Sequence, residues 1–325
     1  MASPSTSISR VEMSVGFEEF SLEASRRGFI GALVLKPRIV SKQAASIGQV
    51  PLAAHLQPRD TARAPRSGYA RSTFQFGTLD YSCQEHGAEE TIDDSELSIY
   101  RDLIDQETIH AQRAIDAVLR DYEKAVADAV FDAATWTGDY TTGISDEWDD
   151  PANATPVDDV KSAMRTVWER TGLWPNCLIM TRHHLDALQQ CDQITERMIY
   201  RGGEGPAVVT RQALAQIFGI DQVLVADAAY NSATEGQAVE ISSIWSDEYV
   251  MVARVATTDD MGEACLGRTF LFADDGAGVN GNELAVILEE YRQEDVRGSV
   301  LRARTYWDEK ITMKAAGQLL TNAIS

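Results

Sequence analysis

Three glycines near the carboxyl end of the chain have the spacing of a dinucleotide-binding loop. Gly276, Gly278 and Gly281 form G-x-G-x-x-G within the stretch ADDGAGVNGNELAVILEEY, residues 273–291. In a dinucleotide-binding fold such glycines form the first turn between a strand and a helix, where backbone N–H groups hold the pyrophosphate. The chemistry they would indicate is that of a nucleotide-dependent enzyme.

The surroundings of this glycine loop do not fit that chemistry. Only 44 residues follow Gly281, too few for most of a sheet. Asp274 and Asp275 would repel a pyrophosphate, and AVILEEY after the loop favours a strand over a helix. We therefore predict a connector between two strands. A nucleotide-binding enzyme that uses residues 276–281 stays open as an alternative.

The other reactive side chains form no recognised site. His183 and His184 are adjacent, so on a helix they point about 100° apart and cannot both face one ion. The four cysteines, which include no C-x-x-C pair, match no zinc spacing, and the acidic runs do not fit the twelve-residue calcium loop. We expect no catalytic residue, no cofactor and no metal, and therefore no enzymatic activity.

The charge of the chain is uneven. The net charge is −21, yet residues 1–80 carry 10 Lys and Arg against 6 Asp and Glu. Residues 81–325 therefore carry 19 against 44. A body this acidic repels phosphate and should not bind nucleic acid tightly. The longest uncharged apolar run, residues 29–35, is far below the roughly 20 residues that span a bilayer, so we expect no membrane partner.

Residues 51–77 have a composition that cannot form a hydrophobic core of its own. They contain three prolines, four arginines and a single acidic residue, Asp60. The end of the stretch, STFQFGTLDYSC, alternates like a strand. Because a loop of this length is unusual inside a compact domain, we predict a projecting hairpin or arm that acts outside its own subunit.

The strongest helical pattern runs over residues 94–131. The stretch contains no Gly or Pro, and its apolar residues recur at steps of three and four. A helix of this length would be about 50 Å long. We expect its apolar stripe to pack against a sheet of the same chain.

The rest of the chain mixes short helices and strands without a regular alternation. A helix is predicted to begin at Pro156, short helices at 182–191 and 210–219, and strands at 176–181, 222–231, 243–255 and 269–274. The tail from residue 283 onward alternates over two or three strands. The fold class is therefore α+β.

The order of these parts resembles the major capsid proteins of tailed bacteriophages, which have the Hong Kong 97-like fold. RAPRSG (63–68), followed by YSCQEHGAEETIDD (81–94), resembles that family's passage from extended loop to spine helix. The stretch WDDPANATPVDDVKSAMRTVWERTGLWPNCLIMTRHHLDAL resembles the start of its axial domain, and LAQIFGIDQVLVADAAYNSA its next helix–strand step.

The resemblance implies a division of the chain. It gives an N-terminal arm at 1–50, an extended loop at 51–80, a peripheral domain at 81–150 and 284–325, and an axial domain at 151–283. The spine helix at 94–131 belongs to the peripheral domain.

The resemblance also implies a function. Subunits would assemble into the hexamers and pentamers of an icosahedral phage head, formed in the host cytoplasm, which encloses double-stranded DNA without sequence-specific binding. Portal and scaffolding or decoration proteins are the further partners implied. Four loop arginines would contact acidic faces such as 145–150 of a neighbouring subunit; these are Arg59, Arg63, Arg66 and Arg71.

Two properties of some relatives are not expected here. Residues 51–80 contain no lysine, so we predict no covalent cross-link through the loop. About fifty residues precede the loop, so we expect a separate scaffolding protein or none. An encapsulin, a cellular compartment of the same fold that encloses enzymes, stays open as an alternative.

Overall fold

The computed structural model describes residues 26–52, 56–58, 61–63, 65–66, 68–69, 71, 73, 75–95, 106–199, 209–234, 236–273 and 284–324. Within them the helices are α1 (Gly31–Val34), α2 (Gln106–Val130), α3 (Pro156–Thr171), α4 (Arg182–Gln190), α5 (Asp192–Ile199) and α6 (Arg211–Phe218). The strands of the amino-terminal half are β1 (Pro37–Val40), β2 (Ala44–Gln49), β3 (Gly77–Ser82), β4 (Gln84–Asp93), β5 (Thr141–Gly143) and β6 (Cys177–Thr181). The remaining strands are β7 (Gln222–Ala226), β8 (Ala229–Asn231), β9 (Ile241–Ser243), β10 (Tyr249–Ala253), β11 (Gly267–Phe272), β12 (Ile287–Gln293), β13 (Gly298–Ile311) and β14 (Gly317–Thr321).

The first sheet is built around β13. Its order is β1-β11-β13-β12, and β4 also pairs with β13. Both β12 and β4 pair with residues 298–304, so they lie on opposite sides of β13. The register of β4 runs from Gln84 opposite Trp307 to Asp93 opposite Gly298. Alternate side chains of β13 are buried, as a strand with one covered face requires.

The long helix α2 covers one face of this sheet. Its buried apolar residues recur at four-residue steps, as the sequence predicted: Ala114, Val118, Tyr122, Val126 and Val130. They contact β4 and β13 and share the main core with Trp307. The predicted packing of the helix against its own sheet is confirmed for residues 106–130. The preceding turns, 96–105, lie outside the described residues.

The second sheet has the order β5-β14-β10-β6-β7. Strands β6 and β7 are parallel and are joined through α4, α5 and α6, while β10 runs antiparallel to β6 and β14. Helix α3 begins with Pro156 at its first turn and ends at Gly172, whose φ of 69° is the left-handed conformation that favours glycine. Its apolar face packs on β10 and β14.

The mixed helices and sheets confirm an α+β fold, but three details of the sequence reading need correction. Residues 84–93 form the ten-residue strand β4, which no pattern predicted because nearly all of its side chains are polar or small. Residues 31–34 form a short helix before β1. Strand β11 pairs in the first sheet with β13, although residues 151–283 were assigned to the axial domain. Strand β14 pairs in the second sheet with β10, although residues 284–325 were assigned to the peripheral domain. The division into peripheral and axial domains itself stays a prediction.

No helix within the described ranges combines the length and apolar character that a membrane-spanning segment requires.

Candidate assembly surfaces

The predicted extended loop leaves the body as an antiparallel hairpin. Strands β2 and β3 pair from Ala44 opposite Ser82 to Gln49 opposite Gly77. The pairing forms because the two segments are extended and alternate in burial, with Ile47 and Leu79 partly covered and their neighbours exposed. Beyond the hairpin, the described residues from Pro51 to Phe76 are exposed except for Leu52, which is partly buried.

The root of this hairpin is fixed to the first sheet. Ser82 donates its backbone N–H to the Asp308 carboxylate at 2.7 Å, and the Gln49 side chain donates to the carbonyl of Thr312 at 2.9 Å. Tyr81 stacks on the ring of Phe270 with centroids 4.7 Å apart. A cavity of about 250 Å³ remains between the hairpin and the turn at 261–265. The paired strands of the hairpin are therefore held against the first sheet at both ends, and Leu56 beyond them lies next to Gly172 at the end of α3.

Three of the four predicted loop arginines lie in the described residues, and all three are exposed: Arg63, Arg66 and Arg71. Arg63 lies over the ring of Tyr69 at 4.8 Å and donates to its hydroxyl at 3.3 Å. Arg66 has a φ of 67°, which is typical of a tight turn. Arg59 lies outside the described residues. Contact of these arginines with a neighbouring subunit stays a prediction.

The segment that precedes α1 is held on the long helix by two buried carboxylates. Glu123 accepts the backbone N–H groups of Ile30 and Gly31, each at 2.8 Å, and the indole N–H of Trp245 at 2.7 Å. Asp116 accepts from Arg26 at 3.2 Å. Burial raises the pKa of Glu123, and the three hydrogen bonds to its carboxylate oppose that rise. These contacts determine where the N-terminal arm meets the body.

The acidic stretch at 145–150 lies before α3. Asp146, Asp149 and Asp150 are exposed, whereas Trp148 is fully buried and donates to Asp159 at 3.1 Å. The buried Trp148 fixes this turn, because its indole reaches the core while the neighbouring acidic residues remain in solvent. The predicted acidic face is therefore exposed to solvent, and its contact with a neighbouring subunit stays a prediction.

The two adjacent histidines have different environments. His183 is exposed and lies 2.7 Å from Asp247, and this hydrogen bond raises the pKa of His183. His184 is fully buried against Thr181, and burial lowers its pKa to about 4. Within the part of the chain that the structure describes, no group of three potential ligands is arranged to hold a metal ion.

A tightly bonded turn joins β10 to β11. Glu263 accepts hydrogen bonds from the backbone N–H and hydroxyl groups of Thr257 and Thr258, at 2.7–2.9 Å. Burial acts to raise the pKa of Glu263, but the four hydrogen bonds outweigh it and lower the pKa to about 2. Arg268 is buried and donates to the carbonyl groups of Thr258 and Asp260. These hydrogen bonds connect the turn to itself and to β11.

Replacing Glu263 with glutamine should make the free energy of unfolding less dependent on pH in the acidic range. The depressed pKa means that the ionised carboxylate contributes stability above about pH 4.5, which is lost as the pH falls toward 2. We expect E263Q to lower the free energy of unfolding by about 2–3 kcal/mol at pH 7 but by only about 1 kcal/mol at pH 3. Urea unfolding of the dissociated subunit at both pH values measures this.

Asp259 supplies the matched control for that experiment. Its carboxylate is 76% exposed and pairs with Lys36 at 3.1 Å. D259N should change stability by less than about 0.5 kcal/mol at either pH, as is usual for exposed ion pairs. An equal loss for E263Q at pH 7 and pH 3 would contradict the role given to its ionised form.

The glycine loop at 276–281 lies outside the described residues, but the elements on either side of it are described. It follows β11 and precedes β12, and both strands belong to the first sheet. The prediction of a strand after the loop is confirmed. A dinucleotide-binding loop would instead precede a helix.

Comparison with solved structures identifies the arrangement of the two sheets, the long helix and the hairpin. A phage-related protein from Bordetella bronchiseptica superposes with a TM-score of 0.65 at 18% identity, over 93% of this chain and 96% of that one. The capsid of cyanophage P-SCSP1u gives a TM-score of 0.57 at 12% identity, over 89% and 86%. The chain has the Hong Kong 97-like capsid fold. The encapsulin SrpI of Synechococcus elongatus also matches, with a TM-score of 0.53 at 10% identity, over 95% and 91%.

At these identities the comparisons show the fold alone, and no family model and no curated protein matches the sequence. The resemblance stated from sequence motifs is thereby confirmed as a Hong Kong 97-like fold. Sequence reasoning missed the contacts of Glu123 and the partners of β4, because both come from residues far away along the chain. The available signal for Glu123 was its place on the apolar side of a predicted amphipathic helix, where a carboxylate needs hydrogen-bond donors.

Proposed function

We propose that this protein is the major capsid protein of a tailed phage, which self-assembles into hexamers and pentamers of an icosahedral head enclosing double-stranded DNA. The observation that carries the proposal is the likeness over 89% of the chain to the capsid protein of cyanophage P-SCSP1u, which is itself covered over 86% of its length. Because several of the matching structures are capsids, the proposed principal partner of this protein is a second copy of itself.

The geometry of the hairpin supports this function. The described residues between 51 and 76 are exposed except for Leu52, and thin shells gain contact area when such arms reach over neighbours. Its exposed arginines carry the charge opposite to that of the acidic body. The hairpin would therefore join subunits through charge complementarity and apolar contacts.

The two sheets support the proposed division into domains. In this proposal the second sheet, with α3 to α6, forms the axial domain around the capsomer axis. The first sheet and α2 form the peripheral domain. In this proposal β11 would belong to the peripheral domain and β14 to the axial domain, and the sheets in which they pair support that assignment.

The acidic composition fits an enclosed genome. A net charge of −21 disfavours tight contact with phosphates, so packaged DNA would move along the inner wall without being bound. Portal and scaffolding or decoration proteins are the further partners that such a head requires, and host cytoplasm is the proposed place of assembly.

An encapsulin-like compartment is the second candidate, because the SrpI encapsulin shares the fold over 95% of the chain. The two functions differ in what the shell contains. A phage head encloses DNA, whereas an encapsulin encloses protein.

Negative-stain electron microscopy of the protein, expressed alone and with its neighbouring genes, tests the proposal. Closed shells, or rings of five and six subunits, are expected. Nuclease-protected DNA in the shells favours the phage head, and a co-purifying protein in place of DNA favours the compartment. Uniform small particles in every condition would contradict both.

Substitution of Arg63 tests the role of the loop. We expect R63E to reduce the yield of closed shells at least about tenfold, because a glutamate at position 63 would be repelled by the acidic face of the neighbouring subunit. Circular dichroism of the subunit should be unchanged, since Arg63 is exposed. Arg197 is exposed on α5, so R197E provides a control with the same change of charge. Normal shells from R63E would contradict the proposed contact.

A further inference from the structure

The exposed face of α3 carries a stripe of two cations and an aromatic ring. Lys161, Arg165 and Trp168 are spaced by four and three residues, so they lie along one side of the helix, and all three are exposed. Trp174, just beyond the helix, stacks on Trp168 with ring centroids 5.8 Å apart and an angle of 22° between the rings. We call these four residues the α3 stripe.

The α3 stripe has the chemistry of a contact surface. Trp168 is 44% exposed and Trp174 is 54% exposed, so together they present on the order of 200 Å² of mostly apolar surface to solvent. Neither Lys161 nor Arg165 forms a salt bridge in the described ranges, although the exposed carboxylates of Asp158 and Glu169 lie on the same side of the helix. The chain has a net charge of −21. Two cations beside exposed indole rings are therefore suited to contact a surface that has both acidic and apolar side chains.

The same subunit has a cleft with the complementary chemistry. It has a volume of about 270 Å³ and is lined by Asp149, Pro151, His183, Asp186, Ala187, Gln190 and Ile324. Pro151, Ala187 and Ile324 make part of its wall apolar. Asp149 and Asp186 supply negative charge. Exposed Asp146 and Asp150 lie in the same turn as Asp149. We call this the acidic cleft.

The charged residues of the acidic cleft, Asp149, His183 and Asp186, already take part in interactions within the subunit. Asp186 lies 3.2 Å from Arg182, and His183 lies 2.7 Å from Asp247. The Arg182–Asp186 pair is about half exposed on both sides, so its mutual stabilisation is small and leaves Asp186 able to attract a second cation. The turn at 146–150 adds further carboxylates, so the surroundings of the cleft are acidic.

The two tryptophans of the α3 stripe and the acidic cleft lie toward opposite ends of α3, with Lys161 and Arg165 between them. Asp149 and Pro151 precede the first turn of α3, whereas Trp168 lies near its last turn. Twelve residues from Pro156 to Trp168 correspond to about 18 Å at 1.5 Å per residue. A rigid subunit therefore cannot place its own stripe in its own cleft, but a second copy can.

We propose that the α3 stripe of one subunit docks in the acidic cleft of the next subunit, and that repetition of this contact closes the capsomer ring. The contact joins two different surfaces, so it is head-to-tail and forms a ring wherever the rotation closes. The proposal rests on the proposed function, because it names the surfaces through which the shell subunits would associate.

Charge reversal tests the proposal. K161E/R165E and D149K/D186K should each weaken subunit association at least about 100-fold, measured by sedimentation velocity and by counting rings in electron micrographs. The quadruple variant K161E/R165E/D149K/D186K carries both reversals in one chain and restores opposite charges across the contact. It should recover rings. R197E/R211E changes two exposed cations away from the stripe and is the control for net charge.

A second variant tests the apolar part without changing any charge. W168S/W174S should also reduce ring formation at least about tenfold, while circular dichroism melting of the subunit stays within a few degrees of wild type. This variant keeps the proposal testable if a charge reversal prevents folding.

The outcomes separate the two proposals. Wild-type rings together with normal rings from K161E/R165E and W168S/W174S would overturn this interface and leave the shell function standing. Failure of the quadruple variant to recover, with a folded subunit, would also overturn the pairing of these two surfaces. A wild type that stays monomeric in every condition would overturn both proposals.

Discussion

Replacing Glu123 with alanine is expected to lower the free energy of unfolding of the subunit by about 3–6 kcal/mol. The substitution removes one acceptor that serves three donors: the N–H groups of Ile30, Gly31 and the Trp245 side chain. Glu123 is only 1% exposed, so water cannot replace it. Each buried donor left without a partner costs about 1–3 kcal/mol.

The same substitution should release the segment that leads into the N-terminal arm. Limited trypsin digestion is expected to cut E123A after Arg26 or Arg27 faster than wild type, because this segment loses two of its backbone anchors. Urea unfolding followed by circular dichroism gives the stability change. Asp128, an exposed carboxylate on the same helix, is the matched control, and D128A should change stability by less than about 0.5 kcal/mol. A loss below about 1 kcal/mol in E123A would show that the carboxylate does not hold this segment.

Replacing Trp307 with alanine is expected to lower the free energy of unfolding by about 3–5 kcal/mol, as large aromatic truncations in cores do. Trp307 is 1% exposed. Its ring stacks on His86 of β4 at 3.7 Å and meets the edge of Tyr122 of α2 at 5.6 Å. The substitution would therefore leave a cavity where the first sheet meets the long helix.

The expected loss of unfolding free energy in W307A comes from lost packing, because the indole nitrogen has no hydrogen-bond partner in the described part of the chain. W307F keeps one ring and should lose less than about half as much stability. W174A is the control of the same residue type, since Trp174 is 54% exposed, and should change subunit stability by less than about 0.5 kcal/mol. Equal unfolding midpoints for W307A and W174A would contradict the position given to Trp307.

Helix α2 and its buried stripe could be predicted because the information is local. Apolar residues at steps of three and four, without Gly or Pro, favour one amphipathic helix wherever the chain folds. The same holds for α3, where Pro156 marks the start and Gly172 the end. For the loop at 276–281, the residues that follow predicted a strand, and β12 confirms it.

The assembly surfaces could be predicted only in part. The arginines of the loop stand out by composition, and the described ones are exposed. The α3 stripe was not recognised from the sequence, since Lys161 and Arg165 look like ordinary residues of a solvated helix face. Its character depends on Trp174, which stacks on Trp168 only because the chain turns at Gly172.

The sequence by itself determined the α+β class, the long helix, the exposed arginine-rich loop and the opposite charges of the two parts of the chain. Each depends on residues that are neighbours along the chain. Only the tertiary structure decided that β4 pairs with β13 some two hundred residues later, and that Glu123 receives donors from Ile30 and Trp245. A polar strand and a buried carboxylate carry no local signal, because what stabilises them is supplied by distant segments once the core has formed.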